Sequence, residues 1–117
     1  MAEDGTYKPR IGKLIAQACH AAVDVFLDRL FENSTLDLSY VEKYWFNNGK
    51  AKISVYVDTE EELLELYKKA KNQNIICALV KDSGKTEPNI KDCYTALAIG
   101  PDENKKIDQI TGHLKLL

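Results

Sequence analysis

The 117-residue sequence lacks the features that mark several specialised classes of protein. No apolar run approaches the roughly 18 residues of a membrane span, and the opening segment has no apolar core typical of a signal peptide. The three cysteines are an odd number without a Cys-x-x-Cys pair, and there are only two histidines. We therefore expect a cytoplasmic protein without a disulfide framework, a metal site or a membrane partner.

The composition is that of an ordinary globular domain, with 44% hydrophobic residues, 29% charged residues and a net charge of −2. Disorder would need fewer apolar residues, so we expect one domain over residues 1–117. The net charge also argues against a surface that binds nucleic acid indiscriminately. However, the stretch from Tyr7 to Ala22 holds Lys8, Arg10 and Lys13 and no acidic residue, which predicts a local basic patch.

The apolar periodicity predicts alternating helices and strands. The predicted elements, in chain order, are a helix from Ile11 to about Leu30, a short helix from about Ser39 to Trp45, a strand at Ala51–Val57, a helix opened by Thr59 that ends near Asn72 to Asn74, strands at Ile75–Val80 and Thr95–Ile99, and a helix at Asp102–Thr111. The strand–helix–strand order from residue 51 to 80 favours a parallel pair with a right-handed crossover. The fold class is therefore α/β, with a small sheet covered by helices.

Polar residues share one face of the first predicted helix. Lys13, Gln17, His20 and Asp24 follow at spacings of four, three and four, and Arg10 extends the same face. A cation, an amide, an imidazole and a carboxylate in one column can bind an anion and transfer protons. The same spacing fits a solvated helix face with incidental ion pairs, and both interpretations stay open.

A second candidate site is the polar loop from Asp82 to Glu87. It follows a predicted strand at its carboxyl end, where α/β sheets form ligand sites. Asp82, Thr86 and Glu87 supply oxygen groups, Lys85 supplies a charge and Gly84 allows close approach of the backbone. A plain connecting loop is the alternative, since the chain has neither a Walker loop nor a Gly-x-Gly-x-x-Gly motif.

Three blocks of this sequence resemble the archaeal and eukaryotic type of peptidyl-tRNA hydrolase. The segment from Gly12 to Ala22 is similar to the family's G-K-x-A-A-Q-x-x-H-A motif, and the segment from Asp82 to Glu87 is similar to D-A-G-x-T-[QE]. The third block is matched by Ala98–Pro101 and Ile107–Leu117. The resemblance covers about residues 10–117 in the family's order. It implies a mixed sheet of three to four strands with helices on both faces.

The resemblance also implies hydrolysis of the ester between a peptide and the 3′ end of tRNA, with no metal or cofactor. Its partner would be the acceptor end of tRNA. From the chemistry of that reaction, His20 or Asp82 is expected to activate water, Lys13 to supply positive charge, and Gln17 and Thr86 to donate to the carbonyl. The expected catalytic residues are thus Lys13, His20, Asp82 and Thr86, and the expected substrate-binding residues are Gln17, Arg10, Gly84 and Lys85.

Two departures from the family pattern bear on these expectations. The polar segment Met1–Arg10 stands where the family has a hydrophobic first strand, so that strand is expected to be missing. Either the start codon is placed too late, or the sheet has three strands; in the second case an open strand edge could take a partner chain, which leaves a homodimer open. The stretch from Glu87 to Thr95 is one residue longer than the common pattern, so no role is assigned to Thr95. The alternative function is that of a non-catalytic relative that binds RNA or protein.

Overall fold

A computed structural model describes residues 10–82 and 93–117 of the chain, with Asp82 described by its main chain only. The described residues form four helices and two strands. Their bounds are α1 Ile11–Asn33, α2 Tyr40–Asn47, α3 Glu60–Asn72, β1 Cys77–Asp82, β2 Cys93–Ile99 and α4 Asn104–Thr111. The α/β class is therefore confirmed. None of these helices is long and apolar enough to cross a bilayer.

The helices begin where the sequence provides caps. Ser39 and Glu42 form a capping box at the start of α2. At the start of α3, the Thr59 hydroxyl accepts a hydrogen bond from the Glu62 main-chain N–H at 3.1 Å. The first turn of α3 is acidic and its last turn carries lysines, which complements the helix dipole. Helix α1 ends at Asn33, and its capping residue Ser34 adopts the left-handed conformation (φ 62°).

Strands β1 and β2 pair in antiparallel orientation, with Cys77 opposite Ile99 and Ala78 opposite Ala98. A bulge interrupts the ladder, because Val80 lies opposite Ala96 whereas Lys81 lies opposite Tyr94. One residue of β2, Thr95, is thus left without a partner in the register.

The core lies between one face of this sheet and the helices α3 and α4. Cys77, Leu97 and Ile99 pack there against a buried cluster whose members are Leu66, Ala70, Ile75 and Ile110. Because side chains alternate across a strand, Ala78, Val80, Ala96 and Ala98 face the opposite side. Helix α1 contacts both strands and buries Ala21 and Val25, so it covers that opposite side. The helices therefore lie on both faces of the sheet, as expected.

The predicted strand at Ala51–Val57 is wrong for most of its length. Only Val55 pairs, in an isolated antiparallel bridge with Leu116, and Ile53 is 79% exposed. Alternating residues also fit an extended segment that packs one side on a core, and Val57 does contact the core cluster. A strand additionally needs a neighbour along its length, and here the neighbour is the short C-terminal segment. The described residues consequently show a two-stranded antiparallel sheet and no parallel pair.

Candidate active site

The first turns of α1 carry the polar column that the sequence predicts. Arg10 immediately precedes the helix and is exposed, whereas Lys13 and Gln17 are half-buried. The first turn contains no acidic residue, so Arg10 and Lys13 add to the positive end of the helix dipole. This end of α1 is therefore suited to bind an anion.

Gln17 is held against the sheet by a hydrogen bond across the fold. The Thr95 hydroxyl donates to Gln17 Oε1 at 2.9 Å, in a partly buried setting. Because the amide oxygen accepts this bond, the two N–H groups of the Gln17 amide point away from Thr95 and can donate hydrogen bonds to another group. The arrangement fixes an amide donor on the same helix face as Lys13.

The bulge in β2 explains how Thr95 reaches α1. In a regular strand Thr95 would face the side of Leu97, toward α3. The extra residue of a bulge changes the direction of the side chain, and Thr95 faces the α1 side instead. Sequence reasoning missed Thr95 because of the additional residue before it. A bulge accommodates one extra residue in a strand. The extra residue between Glu87 and Thr95 was therefore the sequence signal that could have indicated a bulge next to Thr95.

His20 lies one turn further along α1 and pairs with Asp24. His20 Nε2 is 3.1 Å from Asp24 Oδ2, and the two side chains are 60% and 23% exposed. A carboxylate on one ring nitrogen fixes the orientation of the imidazole and leaves Nδ1 as the nitrogen that can accept a proton. The predicted face of α1 thus holds an oriented imidazole.

The main chain of Asp82 ends β1, directly opposite Cys93. Cys93 precedes Thr95 by two residues, so the end of β1 and the Gln17–Thr95 contact lie at the same end of the sheet. The loop residues Gly84, Lys85, Thr86 and Glu87 lie outside the described residues. The structure therefore brings Gln17 and Thr95 into contact at this end of the sheet, with Lys13 one turn before Gln17 on the same helix face, and it does not describe the rest of the loop.

Within residues 10–82 and 93–117, no group of three or more histidine, cysteine, aspartate or glutamate side chains could hold a metal ion. None of the three cysteines forms a disulfide bond, and Cys19 is exposed. Burial raises the pKa of the Cys77 thiol, against a smaller opposite effect of Lys71, so this cysteine is poorly suited to act as a nucleophile. The described chemistry is that of amide, imidazole, hydroxyl and ammonium groups.

Comparison with known proteins identifies the family. The model of the family "Peptidyl-tRNA hydrolase PTH2" matches residues 6–117. The chain belongs to the PTH2 family.

Relatives of this PTH2 chain include three archaeal proteins, each named "Peptidyl-tRNA hydrolase". The protein of Methanocaldococcus jannaschii is 42% identical over 108 residues, which are 91% of this chain and 87% of the relative. The protein of Nanoarchaeum equitans is 41% identical over 105 residues, covering 90% and 86% of the two chains. The protein of Sulfolobus acidocaldarius is 39% identical over 108 residues, covering 91% and 88%. The resemblance stated from the three sequence blocks is confirmed.

The blocks that carried the resemblance have distinct places in this PTH2 chain. The first block forms the opening turns of α1, and the second begins at the end of β1. The third includes the end of β2 and most of α4 with the C-terminal segment, whose Ile110 is completely buried. The first two blocks therefore contribute polar groups near one end of the sheet, whereas the third contributes mainly to the core.

Proposed function

We propose that the protein hydrolyses the ester bond that joins a peptide to the 3′ end of tRNA, releasing free tRNA and peptide. Membership of the PTH2 family over nearly the whole chain supports this activity. The structural observation that carries the assignment of a site is the 2.9 Å hydrogen bond from Thr95 to Gln17, beside Lys13 and the end of β1.

Ester hydrolysis needs an activated water molecule and donors for the oxyanion of the tetrahedral intermediate. The water is activated by His20, oriented by Asp24, or by Asp82 at the end of β1. Lys13 supplies positive charge to the oxyanion or to the terminal phosphate. Gln17, whose amide is oriented by Thr95, donates to the carbonyl, as does Thr86.

The tRNA is held mainly through its phosphates. Arg10 at the exposed start of α1 and Lys85 in the loop contact the acceptor end, and Gly84 lets the RNA backbone approach. Such contacts position the RNA without reading its sequence. The proposal accounts for the local absence of acidic residues at the start of α1 in a chain whose net charge is negative.

The direct test is hydrolysis of an N-acetyl-aminoacyl-tRNA by the wild-type chain and by the Lys13→Ala variant. Loss of a group that stabilises the transition state is expected to lower kcat/KM by about 100-fold. Lys43→Ala is the matched control, since Lys43 is an exposed lysine on α2, away from the column. Activity of Lys13→Ala equal to that of Lys43→Ala would contradict the site, and inactivity of the wild-type chain would favour a binding protein.

The completed sheet, the oligomer and the location are further parts of the proposal. We propose a sheet of three to four strands in which the short segment around Val55 takes part, supported by the Val55–Leu116 bridge. Ile11 and Ile15 of α1 are 75% and 57% exposed, which supports association with a second copy. A role in translation and three cysteines that form no disulfide bond support a cytoplasmic location. Sedimentation at micromolar concentration would test the homodimer.

A further inference from the structure

A groove of about 510 Å³ lies along the edge of β1 that faces away from β2. Residues 75–79, at the start of β1 and just before it, line the groove. One wall comes from α1 and the other from α3 together with Tyr94 of β2; the wall residues are Val25, Asp28, Arg29, Glu32, Tyr67, Lys71 and Tyr94. Because α1 and α3 cover opposite faces of the sheet, a groove that touches both lies at the sheet's edge. Its volume is within the range of ligand-binding pockets.

The register identifies the main-chain groups that face this groove. The Gly100 N–H donates to the Ile76 carbonyl at 2.7 Å, so the main chain of Ile76 faces β2. Residues alternate in an antiparallel ladder, so Ala78 also faces β2, and the N–H and carbonyl groups of Cys77 and Leu79 face outward. In the described part of the chain, no hydrogen bond satisfies these four groups. They form a template for one more extended strand.

The groove continues the face of α1 that carries the candidate site. Gln17, His20, Asp24 and Asp28 follow at steps of three and four residues, and Asp28 lines the groove. From Gln17 to Asp28 the helix rises about 16 Å. From Asp82 back to Leu79 the strand covers about 10 Å. An extended chain of three to five residues would therefore reach from the candidate site into the groove.

We propose that this groove binds the peptide part of the substrate as an added strand on β1. The inference rests on the proposed function. Main-chain hydrogen bonds from Cys77 and Leu79 hold the peptide whatever its sequence. Its side chains alternate between the α1 wall and the α3 wall. Such recognition suits an enzyme whose substrates share a peptide backbone and differ in every side chain.

The rim carries charges that complement a free peptide amino terminus. Asp28 and Glu32 are exposed and have no ion-pair partner among residues 10–82 and 93–117. Arg29, by contrast, pairs with the buried carboxylate of Glu42 outside the groove. On the opposite wall, the Lys71 ammonium lies 5.6 Å from the centre of the Tyr67 ring. The α1 wall is therefore the side on which a terminal ammonium would be stabilised.

The first experiment varies the substrate. The kcat/KM for N-acetyl-aminoacyl-tRNA, which reaches only the candidate site, is compared with that for tetrapeptidyl- and hexapeptidyl-tRNA. We expect at least a tenfold advantage for the longer peptides. N-methylation of single peptide bonds should then lower kcat/KM about fivefold at positions two residues apart, with little effect at the positions between, because only alternate N–H groups of an added strand face β1.

The second experiment fills the groove. Lys71→Trp places a large side chain at the rim, and it is expected to reduce the advantage of hexapeptidyl-tRNA over N-acetyl-aminoacyl-tRNA to less than threefold. Lys68→Trp is the matched control, since Lys68 is an exposed lysine of α3 that does not line the groove. The control should keep the full advantage.

The outcomes separate the two hypotheses. No turnover of N-acetyl-aminoacyl-tRNA or of the longer substrates would overturn the proposed function, and this inference with it. Turnover without dependence on peptide length, or N-methyl effects without alternation, would overturn the groove assignment alone. Alternation together with the effect of Lys71→Trp would support it.

Discussion

The contact between Thr95 and Gln17 gives the sharpest prediction for the candidate site. Thr95→Val removes the hydroxyl and keeps the shape and the β-branched side chain that suits a strand. Gln17 Oε1 then loses its donor at 2.9 Å, and the amide can adopt other rotamers. A neutral hydrogen bond contributes about 1 kcal/mol net, and a loss of this size in the transition state corresponds to a roughly fivefold fall in kcat/KM.

A double-mutant cycle measured by hydrolysis of N-acetyl-aminoacyl-tRNA tests this reasoning. If Thr95 acts only by orienting Gln17, then the double variant Thr95→Val with Gln17→Ala should be no slower than Gln17→Ala alone. Thr95→Ser, which keeps the hydroxyl, should restore most of the activity. A structural role alone would not produce this pattern.

Thr111→Val is the matched control for loss of a threonine hydroxyl. The Thr111 hydroxyl donates to the Ile107 carbonyl of its own helix at 3.3 Å, so its removal should leave kcat/KM nearly unchanged. Additive losses for Thr95→Val and Gln17→Ala would refute the argument. So would a Thr95→Val variant as active as Thr111→Val.

Three further predictions concern stability and RNA binding. Burial would raise the pKa of Glu42, but hydrogen bonds from Arg29 and Ser39 outweigh it and hold that pKa below its usual value. Because the pKa of Glu42 is lower in the folded state than the unfolded value near 4.5, its carboxylate stabilises the fold fully above that value. The cost of Glu42→Gln, about 3 kcal/mol at pH 7, should therefore decline as the pH falls from the unfolded value through the lower folded-state pKa in urea titrations, and a pH-independent cost would contradict this. Ile110→Ala should lower the free energy of unfolding by about 3 kcal/mol, because Ile110 is fully buried. Leu116→Ala, at a 72% exposed site, should lower it by less than about 1 kcal/mol. Equal losses in the two variants would contradict the assigned core. Binding of tRNA should weaken with salt, and Arg10→Ala should reduce the slope of log K against log salt by about 1; an unchanged slope would exclude a phosphate contact.

Local signals in the sequence were sufficient for most elements of the fold. The four helices were predicted because their apolar spacing and their caps, such as Thr59 before Glu62, are contained in short segments. The strand at Ala51–Val57 was predicted on the same kind of signal and was wrong, because period-two alternation records which side is buried and not whether a neighbouring strand exists. Strand pairing requires two segments that form hydrogen bonds with each other, and the alternation of residues in one segment does not indicate whether a second one lies beside it.

The site shows the same division. The polar face of α1 followed from helical spacing, which puts Lys13 and Gln17 on one side. Strand alternation alone would have placed Thr95 on the α3 side, because the bulge reverses the direction of its side chain, and the extra residue before Thr95 was the only sequence signal of that change. The groove could not be found either, since it depends on which edge of β1 stays unpaired and on which helices flank that edge.

Two independent features bring Gln17 and Thr95 together, and both are needed. Small side chains, Ala21 on α1 and Ala96 and Ala98 on β2, let the helix approach the sheet closely. Without the bulge, α1 would approach a regular strand in which the Thr95 side chain faces α3. The bulge alone would turn Thr95 toward a helix too distant for a 2.9 Å bond. A larger residue in place of Ala96 should therefore lower activity in the same way as Thr95→Val, by separating an intact donor from an intact acceptor.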